Sequence, residues 1–120
     1  VLLVKRAREP FKSNWSFIGG IGGFEQTSDP EEVVKMEVQG DINCLFHPTF
    51  FCYNYQATDK SAVLYFYGGI TGNPVINPQY VSEYKLFLME DAVNLELAFD
   101  PQNVLNNFLH DLKNSSFQIL

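Results

Sequence analysis

Apolar residues follow two rhythms along this chain, and the switches between them mark its elements. "VLLVKR", Val1 to Arg6, is an apolar, β-branched run that predicts a buried strand, and "WSFI", Trp15 to Ile18, predicts a short second one. The linking "AREPFKSN" is a polar loop. In "SDPEEVVKMEVQGD" the rhythm becomes helical. Asp29 stands where an N-cap belongs, Pro30 at the first helical position and Glu32 at the third, an Asp form of the capping box. A helix from about Pro30 to Gly40 is expected, with Val34 and Val38 turned to the core and Lys35 and Gln39 turned away. "CLFHPTFFCYNYQ" and "AVLYFYGGI" read as aromatic strands joined at "ATDKS", which makes a hairpin. "EYKLFLM" predicts another strand and "EDAVNLELAF" a short helix. "DPQNVLNNFLHDLKNSS" repeats the Asp-Pro start at Asp100 and Pro101, with Val104, Leu105, Phe108, Leu109 and Leu112 at helical spacing. The order β-β-α-β-β-β-α predicts an α/β/α sandwich around a central mixed β-sheet.

Composition narrows the function classes. Hydrophobic residues at 46% and aromatics at 15% exclude intrinsic disorder, and 120 residues suit one domain with a core of its own. A formal charge of −6 argues against a general nucleic-acid surface, although a bound cation would reverse the sign locally. Half of the cations, Lys5, Arg6, Arg8 and Lys12, fall within the first twelve residues, where they would serve a phosphate or a solvated strand end. Cys44 and Cys52 lie too far apart along one extended run to bridge, and neither has zinc-ligand spacing. They read as small buried hydrophobes in a reducing compartment, so the expected location is cytoplasmic. No apolar run reaches transmembrane length. The chain opens directly on a strand-like run, and the expectation is that further residues, including a first strand, precede Val1.

Two stretches carry candidate chemistry. "KMEVQGDIN" puts Glu37 and Asp41 four residues apart, about 40° from one another around a helix, beside the apolar stripe. "GGIGG" places four glycines in five positions, a segment that calls for unusual backbone angles or close approach to a ligand. Taken alone, the acidic pair reads as a solvated helix face and the glycines as a turn. His47 and His110 have no partner spacing and read as structural or surface residues. Trp15, Phe17, Phe50, Phe51, Tyr53 and Tyr55 read first as core, with one or two left to stack a nucleobase.

In these segments the chain resembles a Nudix domain over nearly its whole length, as a single domain from residue 1 to 120. "LLVKRA", "WSFIGG", the helix carrying Glu37, the aromatic hairpin and "SEYKLF" with the terminal helix all carry the likeness. The family's box is Gly, five residues, Glu, seven residues, then Arg-Glu-hydrophobic-any-Glu-Glu-any-Gly-hydrophobic. Aligned on "MEVQGDINC", Glu37 and Val38 keep their positions and Asp41 and Cys44 are conservative replacements. Met36 replaces the Arg, Gly40 the middle Glu, Asn43 the Gly, and Ser28 the isolated Glu, while Gly22 takes the leading glycine. The box is degenerate.

The resemblance implies Mg²⁺ or Mn²⁺ as cofactor and hydrolysis of a diphosphate joined to another moiety. Such hard ions take carboxylate oxygens and keep several waters. By the resemblance Glu37 is the catalytic residue, as metal ligand or base for the water. Asp41, Glu83 and Glu25 are further metal ligands, and Arg6, Gly22 and Gly23 bind substrate. The expected function is a Mg²⁺-dependent pyrophosphohydrolase of a nucleoside diphosphate derivative. The alternative is a catalytically inactive Nudix-like module that binds a nucleotide or a protein; a structural subunit of an assembly is a third reading. Expected partners are a small nucleotide-type ligand and a second copy in a homodimer, with neither membrane nor general nucleic-acid binding.

Overall fold

A computed structural model describes residues 1–20, 25–56 and 61–114. The strands are β1 (Leu2–Arg6), β2 (Trp15–Ser16), β3 (Leu45–Gln56), β4 (Ser61–Thr71) and β5 (Val81–Leu86), and the helices α1 (Pro30–Ile42), α2 (Met89–Ala92) and α3 (Gln102–Lys113). The element order is the expected one, with α2 as the short helix before the last. The chain divides into two compact units, Val1–Phe17 with Pro78–Leu120, and Ile18–Asn77.

The first unit is built on a three-stranded sheet in the order β2-β1-β5, all antiparallel. Its register sets Lys5 between Trp15 on one side and Glu83 on the other. The core here is Leu3, Ala92, Leu97 and Leu105, with Trp15, Phe17 and Phe87 packed against it. Trp15 meets Phe87 edge to face at 5.1 Å, the geometry that aromatic quadrupoles favour. α3 buries Val104 and Leu105 and half-buries Phe108 and Leu109, but Leu112, expected on the same stripe, is exposed, and the start of the helix also differs. Asp100 has a left-handed backbone (φ 51°) and cannot cap; Pro101 takes the N-cap position without a side-chain bond.

The second unit joins α1 to the β3–β4 hairpin. α1 begins as expected: Asp29 is the N-cap and accepts a 3.0 Å hydrogen bond from the Glu31 N–H, with Pro30 next. Two details differ. The Asp29 N–H donates to Thr27 Oγ1, and Glu32 pairs with Lys35 at 3.2 Å, so the return bond of a capping box is replaced by local alternatives. The helix also runs on to Ile42 and buries Val33, Val38 and Ile42; Val34 is only half-buried. β3 and β4 pair antiparallel from Leu45↔Thr71 to Gln56↔Ser61, with a bulge between Phe50 and Cys52. A Cβ at Gly68 would stand 1.9 Å from the His47 carbonyl oxygen, so the strands cross too closely there for any side chain. Cys44 and Cys52 are both free thiols, and burial pushes the Cys52 thiol up from its ordinary value. Phe50, Tyr53 and Tyr55, expected in the core, are instead 47%, 65% and 60% exposed. Their strands have no third partner among the described residues.

Candidate functional site

α1 sets the frame of the site. Glu37 and Asp41 stand one turn apart on it, both half-buried. The end of the helix is fixed: Asn43 closes it in a left-handed conformation, its N–H donating to the Gln39 carbonyl and its side-chain amide to the Val75 carbonyl. The Asn77 N–H in turn donates to the Asp41 carbonyl at 2.9 Å. The turn that carries Asp41 is therefore tied down by the segment from Val75 to Asn77.

Glu37 has the most distinctive surroundings. A Cβ at Gly20 would lie 2.8 Å from its Oε1 and 3.0 Å from its Oε2, so the backbone of the glycine segment passes directly over the carboxylate. A Cβ there would push the carboxylate aside from its present position. Burial raises the Glu37 pKa above its ordinary value, because the charged form is partly stripped of water. Sequence reasoning assigned the substrate loop to Gly22 and Gly23, which lie outside the described residues. It passed over Gly20, although the pair "GG" of "WSFIGG" was in view.

The other expected site residues have engagements of their own. Glu83 makes a 3.3 Å ion pair with Lys5, whose ammonium also lies 5.0 Å over the Trp15 ring. The Arg6 Nε donates to the Pro10 carbonyl at 2.7 Å, and its guanidinium stacks 4.9 Å above Phe99. Glu25 is exposed in a turn ahead of α1. Among the described residues no group of three or more His, Cys, Asp or Glu gathers as a metal cluster. The histidines have the plain roles expected of them: His47 Nε2 meets Thr71 Oγ1 at 2.8 Å, and His110 contacts Asn114.

The donor chemistry at α1 suits a hard divalent cation. Two carboxylates one turn apart can hold Mg²⁺ while water and phosphate oxygens supply the rest, the usual arrangement for that ion. Gly40, on the same turn as Asp41, faces open space: a Cβ there would meet nothing within 4 Å.

Solved structures of other proteins share this fold. The NUDIX domain of Shewanella oneidensis NrtR complexed with ADP ribose aligns with a TM-score of 0.68 at 21% identity, over 92% of this chain and 76% of that one. The E. coli ORF135 protein aligns with a TM-score of 0.77 at 13% identity, over 98% and 84%. No family model and no curated protein matches the sequence. Likeness at these identities establishes the architecture: the chain has a Nudix-like α/β fold.

Proposed function

We propose that this Nudix-like chain binds a nucleoside diphosphate derivative and slowly hydrolyses its phosphoanhydride bond with Mg²⁺ or Mn²⁺. The observation that carries the reading is Glu37: a half-buried carboxylate of raised proton affinity, overlain by the backbone of Gly20 and followed one turn later by Asp41. The neighbour with bound ADP ribose supports a ligand of that class. When bound, the cation neutralises phosphate charge and acidifies its water. Glu37 and Asp41 would hold it, and Glu25 and Glu83 are the further acids the resemblance nominates. The water oxygen bonds to phosphorus, the anhydride P–O bond breaks, and the leaving phosphate departs with the bonding pair. The water's proton passes to a nearby base, a role open to Glu37 as the alternative to ligating the cation.

A second reading, binding without turnover, is favoured by the ion pair that engages Glu83 with Lys5 and by Met36 and Gly40 in place of an Arg and a Glu. Calorimetric titration with Mn²⁺ of the wild type, Glu37→Gln and Gly40→Glu, beside phosphate release on ADP ribose and other nucleotides, separates the two. Hydrolysis lost in Glu37→Gln, with tighter cation binding in Gly40→Glu, is the expected result. ADP ribose bound without turnover selects the binding module. No cation affinity and no nucleotide binding in any variant rejects both.

A further inference from the structure

The chain around Arg6 holds bulky rings at the surface in a conformation that costs stability. The Arg6 guanidinium lies over the Phe99 ring, and Phe99 meets Phe11 edge to face at 4.9 Å. The Arg8 guanidinium lies 4.6 Å over the Tyr80 ring. All of these residues belong to one compact unit. Both phenylalanines have left-handed backbones, with φ 61° at Phe11 and 65° at Phe99, as do Ser13 at 73° and Asp100 at 51°. For a residue as bulky as Phe that conformation is an outlier with an energetic cost. Burial would be the ordinary compensation, yet Phe99, Phe11 and Tyr80 are 57%, 46% and 41% exposed. The strain holds rings in solvent.

The surface is fixed before anything binds. The Arg6 N–H donates to the Asn14 carbonyl at 3.0 Å, the Ser13 N–H to the Arg6 carbonyl at 2.8 Å and the Asn14 N–H to the Phe11 carbonyl at 3.1 Å. The Ala7 N–H donates to the Tyr80 carbonyl at 3.0 Å, which ties the segment carrying Arg8 to its ring. Charge then selects the ligand. Among the described residues the ion pairs are Lys5 with Glu83 and Lys35 with Glu32, so neither Arg6 nor Arg8 has a carboxylate partner in a chain at −6. Glu9 and Asp100, adjacent in sequence to Arg8 and Phe99, pair with neither arginine. The two arginines are two residues apart, a Cα span of at most about 7 Å, short enough for their guanidinium groups to converge on one anion. An uncharged ring would leave both guanidinium groups unmatched, and a bare anion would leave the rings in water. A planar ring joined to a phosphate engages both. The ring stacks on an exposed aromatic face, and the phosphate offers its charge and three acceptor oxygens to the arginine forks.

We propose that Arg6, Arg8, Phe11, Phe99 and Tyr80 form a site for a nucleoside monophosphate, held by stacking and guanidinium–phosphate bonds without a divalent cation. Of the five, the resemblance nominates only Arg6, and Glu37 belongs to the other unit. Calorimetric titration of the full chain with AMP in EDTA tests the site. EDTA removes the cation on which the Glu37 reading depends, so failure of one leaves the other standing. AMP binds in the expected result, while adenosine and inorganic phosphate, each engaging half of the site, bind at least about tenfold more weakly. Phe99→Gly removes an exposed ring and relieves a left-handed backbone, so it keeps or raises the melting temperature while weakening AMP by about tenfold or more. Arg8→Gln, at an exposed side chain, gives a comparable loss and carries the test if Phe99→Gly does not fold. Lys85→Gln, which removes a cation 5.1 Å over Phe87, leaves AMP binding unchanged. A wild type that does not bind AMP at millimolar concentration overturns the proposal, as does adenosine or inorganic phosphate binding as tightly as AMP. So do folded Phe99→Gly or Arg8→Gln proteins of wild-type affinity, or a Lys85→Gln protein that loses as much as they do.

Discussion

Glu37 is held in a state that costs stability and suits chemistry. Its raised pKa means that the folded chain binds this proton more tightly than the unfolded one. Stability from this group is thus fully present below the ordinary value of 4.5 and is lost as pH rises through the raised folded value. Glu37→Gln removes the dependence. Its melting temperature should exceed the wild type's at neutral pH, and the difference should vanish below the ordinary carboxylate value; thermal melts across pH read both. Gly20 permits the complementary test. A methyl there collides with the carboxylate end of a flexible side chain, which can swing aside, so Gly20→Ala should barely change the melting temperature. Under the proposed function it displaces Glu37 and weakens Mn²⁺ binding by roughly tenfold, as loss of an orienting neighbour does. The carboxylate spacing was legible in "KMEVQGDIN". The glycine over it was not, because a close approach of segments seventeen residues apart is set by the path of the loop, which carries no periodic signal.

Elements were legible wherever the signal was local. Asp29-Pro30 marked the start of α1 because an aspartate carboxylate and a free N–H two residues on need nothing else to meet. Asp29→Ala should cost about 1 kcal/mol, in the range of measured N-cap losses, and urea titration of the isolated variant would detect it. The same dipeptide misled at Asp100-Pro101. There the preceding Phe99 and Asp100 both adopt left-handed backbone angles as the chain comes off Leu97, and the N-cap position passes to Pro101, which has no side-chain acceptor. The hairpin was read correctly as strands and incorrectly as core. A strand that is apolar or aromatic at both alternating positions carries no pattern that tells a covered face from an uncovered one, so the ribbon reads as interior.

For the whole molecule, the question is whether ligand and cation meet as one binding event. With a charge of −6 the chain attracts divalent cations diffusely, and diffuse attraction is screened by salt. A built site behaves differently. Under the proposed function, two carboxylates on α1 leave most of a cation's coordination sphere to water and phosphate oxygens, so neither cation nor nucleotide would have its full set of partners alone. Each should then bind better in the presence of the other, and by linkage the gain is the same for both. Thermal shift measures this directly, because a ligand of the folded state at free concentration L raises its stability in proportion to ln(1 + L/Kd). Mn²⁺ alone and ADP ribose alone should each give a small shift at 0.15 M salt, and the two together a shift larger than their sum. In Glu37→Gln the excess should disappear while the shift with ADP ribose alone persists. Additive shifts in the wild type would mean that cation and nucleotide bind independently. A cation held by the α1 carboxylates and shared with the nucleotide's phosphates would then be ruled out.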